Sequence, residues 1–240
     1  MNKKLLSEIK DRFSRLELDS PFATTEMGES DFDIKSYFFR IFYPYGISEV
    51  KLGASKVVLF FNKAGFVIKI PFEGCYSYDD CDDTAEQDEN DYTTWSFCEY
   101  TSVQDGNYIE EEIRLYDGTI KKAGFSHLFA KNKFLCECAN GIPIYYQEEM
   151  ICADDMDYHE ISKKDTRKLA SIFKRKSSWN SYLNYLPKTF ILETIKLFGE
   201  DYTIRFCNFL DNYIDDLRSA NVGFRKNGVP VVLDYAGFYD

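Results

Sequence analysis

The stretch Tyr213-Ile-Asp-Asp-Leu-Arg-Ser-Ala-Asn-Val-Gly-Phe-Arg-Lys-Asn-Gly-Val-Pro-Val-Val-Leu-Asp-Tyr-Ala-Gly237 decides how the rest of the chain reads. Two short apolar runs, Val222–Phe224 and Val231–Leu233, flank Arg225-Lys226-Asn227-Gly228, and Asn-Gly is a strong hairpin-turn signal. Asp216 and Asn221 stand just before the first run and Asp234 just after the second. Both open ends of a hairpin lie side by side, so this turn predicts that Asn221 and Asp234 meet. Two oxygen ligands there, with a carboxylate on the preceding turn, suit a hard cation such as Mg²⁺ and a positioned hydroxyl. The bland alternative is a surface hairpin, because Asp and Asn are common turn residues.

Outward from that stretch, 240 residues suffice for one large domain or two small lobes with a sizeable core. A composition of 45% hydrophobic and 17% aromatic residues indicates a globular chain. A net charge of -11 argues against generic binding to nucleic acid or an anionic membrane. Lys3 and Lys4 precede no apolar core of signal-peptide length, and no run approaches a membrane span, so the expectation is a cytoplasmic protein. Seven cysteines, without a Cys-x-x-Cys pair, read as reduced and mostly buried thiols.

Leu5, Ile9, Phe13 and Leu16 share one face of a helix over residues 3–17. Residues 32–43 are densely aromatic and closed by Pro44 and Gly46; they read as a second buried helix or as a strand. Val57–Phe61 and Phe66–Ile70 read as strands joined by Asn62-Lys63-Ala64-Gly65. Lys69 interrupts the second of these, where a charge needs a reason, and an edge lysine snorkelling to water is the plain one. Residues 79–91 carry eight acids and no base. Asp80, Asp82, Thr84, Glu86, Asp88 and Asp91 fall at calcium-loop positions, but Ala85 replaces the required glycine, so a solvated insertion is the better reading.

Asn107–Lys122 reads as a helix ended by Gly124, with Glu110, Glu111 and Glu112 near its start; three solvated acids favoured by the helix dipole are the alternative there. Phe134–Cys138 and Ile142–Gln147 form a hairpin across Asn140-Gly141, and residues 151–212 read as helical. Lys163, Lys164, Arg167, Lys168, Lys174, Arg175 and Lys176 make the one basic cluster, either a solvated helix face or a docking patch for an acidic partner or nucleic acid.

Asp216-Leu217-Arg218-Ser219-Ala220-Asn221, followed thirteen residues later by Asp234-Tyr235-Ala236-Gly237, resembles the catalytic and metal-binding segments of the protein-kinase superfamily. Within it, the ending is similar to small kinase-like proteins carried by bacteriophages and their hosts. Val67-Ile68-Lys69 resembles that family's lysine strand, and the resemblance covers roughly residues 50–237. It implies an α+β, two-lobed fold: an N-terminal helical extension (1–46), an antiparallel β-rich lobe (47–150) with an acidic insertion (77–92), and a shortened helical lobe (151–240). It implies ATP and Mg²⁺ as ligands, with Asn221 and Asp234 holding the metal. Gly53, Ala54, Ser55 and Lys56 would cradle phosphate, although the family's three glycines are reduced here to one. Lys69 would bind phosphate and pair with a helix glutamate, Glu112 by spacing or else Glu111 or Glu110. Backbone groups of Glu148 and Met150, beyond Gln147, would hold adenine at a hinge between lobes. Asp216 would orient an acceptor hydroxyl and Arg218 stabilise charge on the phosphoryl group.

Ile214 and Asp215 stand where that family's His-Arg precedes the catalytic Asp, and six residues follow Asp234, so neither an activation-loop anchor nor an activation segment is expected. Two functions follow: a phosphotransferase acting on a protein hydroxyl, or a silent kinase-shaped protein that occupies a host protein. Mimicry of DNA by acidic charge is a third.

Overall fold

The computed structural model describes residues 2–18, 22–23, 34–53, 55–71, 73–76, 92–96, 107–153, 162–176, 186–214 and 217–236. The chain divides into two compact units: residues 1–110 with 132–149, and residues 111–131 with 150–240. The fold is α+β, with antiparallel sheets and helices. Among the described residues no helix is long and apolar enough to cross a membrane.

In the first unit, helix α1 (Lys3–Phe13) starts at Asn2, whose side chain accepts the Leu5 N–H at 3.2 Å. Leu6, Ile9 and Phe13 form its buried stripe, while Leu5 and Leu16 are only partly buried; the helix ends before Leu16. A short strand β1 (Phe22–Ala23) follows, then α2 (Ile34–Phe42), which settles the aromatic segment as a helix. Its four-residue spacing puts Ile34, Phe38 and Phe42 on one buried face. Strands β2 (Glu49–Leu52), β3 (Lys56–Phe61), β4 (Phe66–Pro71), β7 (Lys133–Glu137) and β8 (Pro143–Glu148) make one antiparallel sheet in the order β2-β3-β4-β8-β7. Strand β6 (Tyr92–Ser96) pairs with both β1 and β5 (Glu73–Tyr76) in a second, small sheet of order β1-β6-β5. The acidic stretch 79–91 and its calcium-loop spacing lie outside the described residues.

The two faces of the five-stranded sheet differ in kind. One carries Val57, Leu59, Phe61, Phe66, Ile68, Ile70 and Ile144 into a core shared with α1 and α2. There the rings of Phe13 and Phe42 lie 4.6 Å apart and Phe61 meets Phe42 edge-on. Each such ring contributes ~1.5–3 kcal/mol through burial. Within the segment 1–46, expected as an extension, Leu6, Ile9, Phe13, Leu18, Ile34, Phe38 and Phe42 share one core with the sheet. Asn140 adds a polar tie, donating to the Leu18 carbonyl at 2.8 Å and accepting the Leu18 N–H at 3.3 Å.

The second unit begins within helix α3 (Tyr108–Leu115), which widens into a π turn over Tyr116–Ile120 and ends at Gly124, φ +81°. Helices α4 (Lys163–Lys176), α5 (Lys188–Phe198) and α6 (Glu200–Tyr213) follow. Gly199, at φ +85°, ends α5 and starts α6, a turn that a side chain would strain. Phe125, Phe129, Phe190, Phe206 and Phe209 fill the core of this unit. The reading of 151–212 as wholly helical is corrected at its start: Ile151–Cys152 is strand β9. It pairs with β10 (Val222–Phe224), which pairs in turn with β11 (Pro230–Val232). A Cβ at Gly223 would come within 2.2 Å of the Ile151 carbonyl oxygen, so glycine is what lets β9 close on β10.

Candidate functional site

The hairpin forms where Asn227-Gly228 places it. Arg225 N–H donates to the Val229 carbonyl at 2.9 Å, and Gly228 takes the left-handed conformation at φ +81°. At its open end a 3₁₀ turn, Ser219–Asn221, delivers Asn221 to β10. The Asn221 carbonyl accepts the N–H groups of Leu233 at 2.8 Å and Asp234 at 3.4 Å. The two residues expected to meet are therefore backbone neighbours across the hairpin. Asn221 is buried and Asp234 half-buried, while Arg218 is exposed and starts the turn in extended conformation. Asp216 and Gly237 lie outside the described residues. Cys152 Sγ, which the sequence did not place here, lies 3.4 Å from the Ala220 carbonyl, against the same turn.

Tyr235 continues this end of the hairpin inward. It is 1% exposed; its hydroxyl donates to the Ala130 carbonyl at 2.9 Å, and its ring stands edge-on to Phe129. Burial first, and then the neighbouring acids Glu112, Asp234 and Asp117, push its pKa well up. Glu112 itself is fully buried on α3. Glu111 is buried too, with Arg114 Nη2 3.5 Å from its carboxylate. Three solvated acids therefore do not describe this helix start. Glu110, in the other unit, accepts the Tyr145 hydroxyl at 2.7 Å.

In the first unit the second face of the sheet is polar by alternation. Lys56 and Val58 on β3, Val67 and Lys69 on β4, and Tyr145 and Gln147 on β8 share it, opposite the apolar core face. Lys69 stands directly across from Tyr145, and across from Val58 on the other side, which puts Lys56 one diagonal step away. Lys56, Lys69 and Gln147 are all buried, so neither lysine is an edge group reaching water. Asn107 Nδ2 donates to the Tyr145 hydroxyl at 2.8 Å, while its Oδ1 accepts the N–H groups of Ile109 and Glu110 and caps α3. Burial and the Glu110 bond raise the Tyr145 pKa, keeping this hydroxyl a donor.

Gly53 N–H donates to the Lys56 carbonyl at 2.9 Å, closing the β2–β3 connection; Ala54 lies outside the described residues and Ser55 is half-buried. A Cβ at Gly53 would meet the Lys56 carbonyl oxygen at an ordinary 3.6 Å, so the turn does not require glycine there. Glu148 ends β8 exposed, Glu149 N–H donates to the Gly65 carbonyl, and the chain passes to the second unit between Glu149 and Met150. On α4, Lys163, Lys164, Arg167 and Lys168 are exposed, and Lys168 lies 3.9 Å from Glu200. Among the described residues Cys136, Cys138 and Cys207 are buried thiols and Cys152 is half-buried. No group of three or more His, Cys, Asp or Glu side chains among the described residues could hold a metal ion. No protein-family model, curated protein or solved structure matches this chain.

Proposed function

We propose that the chain is an ATP- and Mg²⁺-dependent phosphotransferase with a two-lobed, kinase-like plan, acting on a protein hydroxyl. The observation that carries this reading is the backbone lock at the open hairpin, where one carbonyl of Asn221 takes the N–H groups of Leu233 and Asp234. A chance surface hairpin has no need to bury Asn221 at that junction. Asn221 and Asp234 are the residues that would hold Mg²⁺. Two protein ligands suit this ion, which commonly keeps water and phosphate oxygens in its remaining positions. Bound there, Mg²⁺ would neutralise charge on the β- and γ-phosphates.

The rest of the chemistry falls to named side chains. Lys69 and Lys56, both buried on the polar sheet face, would supply positive charge to the phosphates. Asp216 would orient the acceptor hydroxyl and take its proton, and Arg218 would stabilise the transferring group. Backbone groups of Glu148 and Met150 would hold the adenine. A silent binding protein of the same plan is the second reading, and it is favoured by Gly53, where a side chain would meet only ordinary contact, so that the β2–β3 connection does not itself require glycine.

Thermal melts across a Mg²⁺ titration at millimolar ATP test the function. A ligand bound only by the native state at 100 times its Kd adds about 2.7 kcal/mol. We expect a Mg²⁺-dependent rise in Tm that Asp234→Asn abolishes. Asp216→Asn should keep that rise and lower turnover by ~10²-fold or more. No rise in the wild-type protein would overturn the nucleotide site. Unchanged phosphorylation of a lysate by Asp216→Asn would overturn the catalytic assignment.

A further inference from the structure

We infer that the exposed face of α4 is a docking surface for a short, carboxylate-rich segment of a partner protein. The helix carries seven Lys and Arg against one acid, Asp165, in a chain whose net charge is -11. Its orientation is fixed from below, since Leu169 and Ile172 are buried in the core of the second unit. The helical period then turns Lys163, Lys164, Arg167 and Lys168 outward, and Ala170 and Ser171 continue the same exposed surface.

Nothing within the helix rewards that placement. Lys163 and Lys164 stand in the first turn, where the dipole opposes a cation. Lys163 with Arg167, and Lys164 with Lys168, are like charges four residues apart, which repel. Asp165 is taken up by the helix cap: its carboxylate accepts the Ser162 hydroxyl at 2.6 Å, and its N–H donates to Ser162 Oγ at 3.1 Å. Lys168 lies 3.9 Å from Glu200, while Lys163, Lys164 and Arg167 make no ion pair among the described residues. A row of cations held outward without internal compensation is matched by an anion from outside. The makeup of the face selects which one. From Lys163 to Ser171 its exposed residues include no aromatic ring for a base to stack on and no large apolar side chain to enter a bilayer. The acidic balance of the chain opposes a long polyanion that would run on past the helix, and tolerates a short one. Ala170 and Ser171 leave room for a second backbone beside the cations. Carboxylates on a protein segment meet each of these conditions, whichever activity the chain has.

Fluorescence anisotropy of the full chain with a labelled glutamate peptide of about twelve residues, long enough to follow the helix, tests the surface. A glutamine peptide, an oligothymidylate of the same length and phosphatidylserine vesicles are its comparisons. We expect saturable binding of the glutamate peptide that weakens with added salt, and none of the glutamine peptide. Lys163→Gln, Lys164→Gln and Arg167→Gln combined should lower the affinity about tenfold. The same variant should keep or raise Tm, because it relieves the dipole and the like-charge pairs. A lower Tm, or failure to fold, would assign these cations to the fold and overturn the inference. Absence of binding by the wild-type chain, or equal affinity in the variant, overturns it as well. Tighter binding of the oligothymidylate or the vesicles would replace the protein segment by nucleic acid or membrane. Wild-type mass that rises with concentration, in sedimentation, and does so no longer in the variant would make the occupant a second copy and overturn the assignment to a separate partner.

Discussion

The two main sheets of this protein are held by different physics. In the first unit, β3 and β4 run six paired residues side by side, and the sheet is backed by phenylalanines from both N-terminal helices. In the second, β9, β10 and β11 contribute two or three residues each, too few to be held by their own ladder. That small sheet depends on single-atom fits: the missing Cβ at Gly223, the Asn221 carbonyl, the Ala130 amide. A large apolar layer yields in proportion to volume removed, whereas a short polar lock yields all at once.

The largest effect expected is in the large layer. Phe38→Ala should cost about 3–5 kcal/mol in urea unfolding, since the ring is fully buried among other rings. A loss below about 1 kcal/mol would show that the layer can collapse and would break the contrast. Gly223→Ala should cost about 3 kcal/mol by adding a methyl group against a backbone oxygen that has nowhere to go. Tyr145→Phe comes next, at about 1–3 kcal/mol, because Asn107 and the Glu110 carboxylate both lose their bond to the hydroxyl. Tyr145→Phe should also accelerate amide exchange at Ile109 and Glu110, the groups that Asn107 caps.

High pH probes both units together, for each hides a thiol. Burial pushes Cys138 in the first and Cys207 in the second from 9.0 to about 12. The unfolded chain releases these protons first, so stability is complete below pH 9.0 and declines as pH rises towards about 12. By pH 10 each should have cost about 1 kcal/mol, and Cys207→Ala, measured against its own neutral-pH value, should flatten the decline for its unit. The smallest effect is Gly53→Ala, which should stay within about 0.5 kcal/mol, since its Cβ would find only ordinary contact. A marked loss of Mg·ATP affinity in that variant would show that a nucleotide needs the space that the chain itself leaves open.

What was legible in the chain was local. Asn140-Gly141 and Asn62–Gly65 turn where turn chemistry puts them, and α6 runs from Glu200 to Tyr213 as its apolar spacing requires. The meeting of Asn221 with Asp234 followed from hairpin geometry alone. The second strand of that hairpin starts one residue earlier than read, at Pro230, because pairing with Phe224 sets the register rather than the apolar run. Strand β9 was not legible: two residues carry no period, and its partner lies some seventy positions on. Nor was the bond from Tyr145 to Glu110, which joins residues thirty-five apart with no shared motif. Lys69 was conspicuous as a charge in an apolar strand; that Lys56 joins it on the same face needed the register of β3 against β4.

The π turn at Tyr116–Ile120 has a consequence for how this helix could change over time. One wide turn holds one residue more than a regular helix does, and each residue of an α-helix advances the azimuth by about 100°. The wide turn absorbs that extra advance, so Glu111 and Glu112 before it and Lys121 onward after it keep the faces they would have in a regular helix one residue shorter. Excising Gly118, which is inside the wide turn and has no neighbour against its missing side chain, would close the turn to a regular one and leave both ends facing as they do. A single-codon deletion would act there as a repair of the helix rather than a rotation, so this turn stores one removable residue.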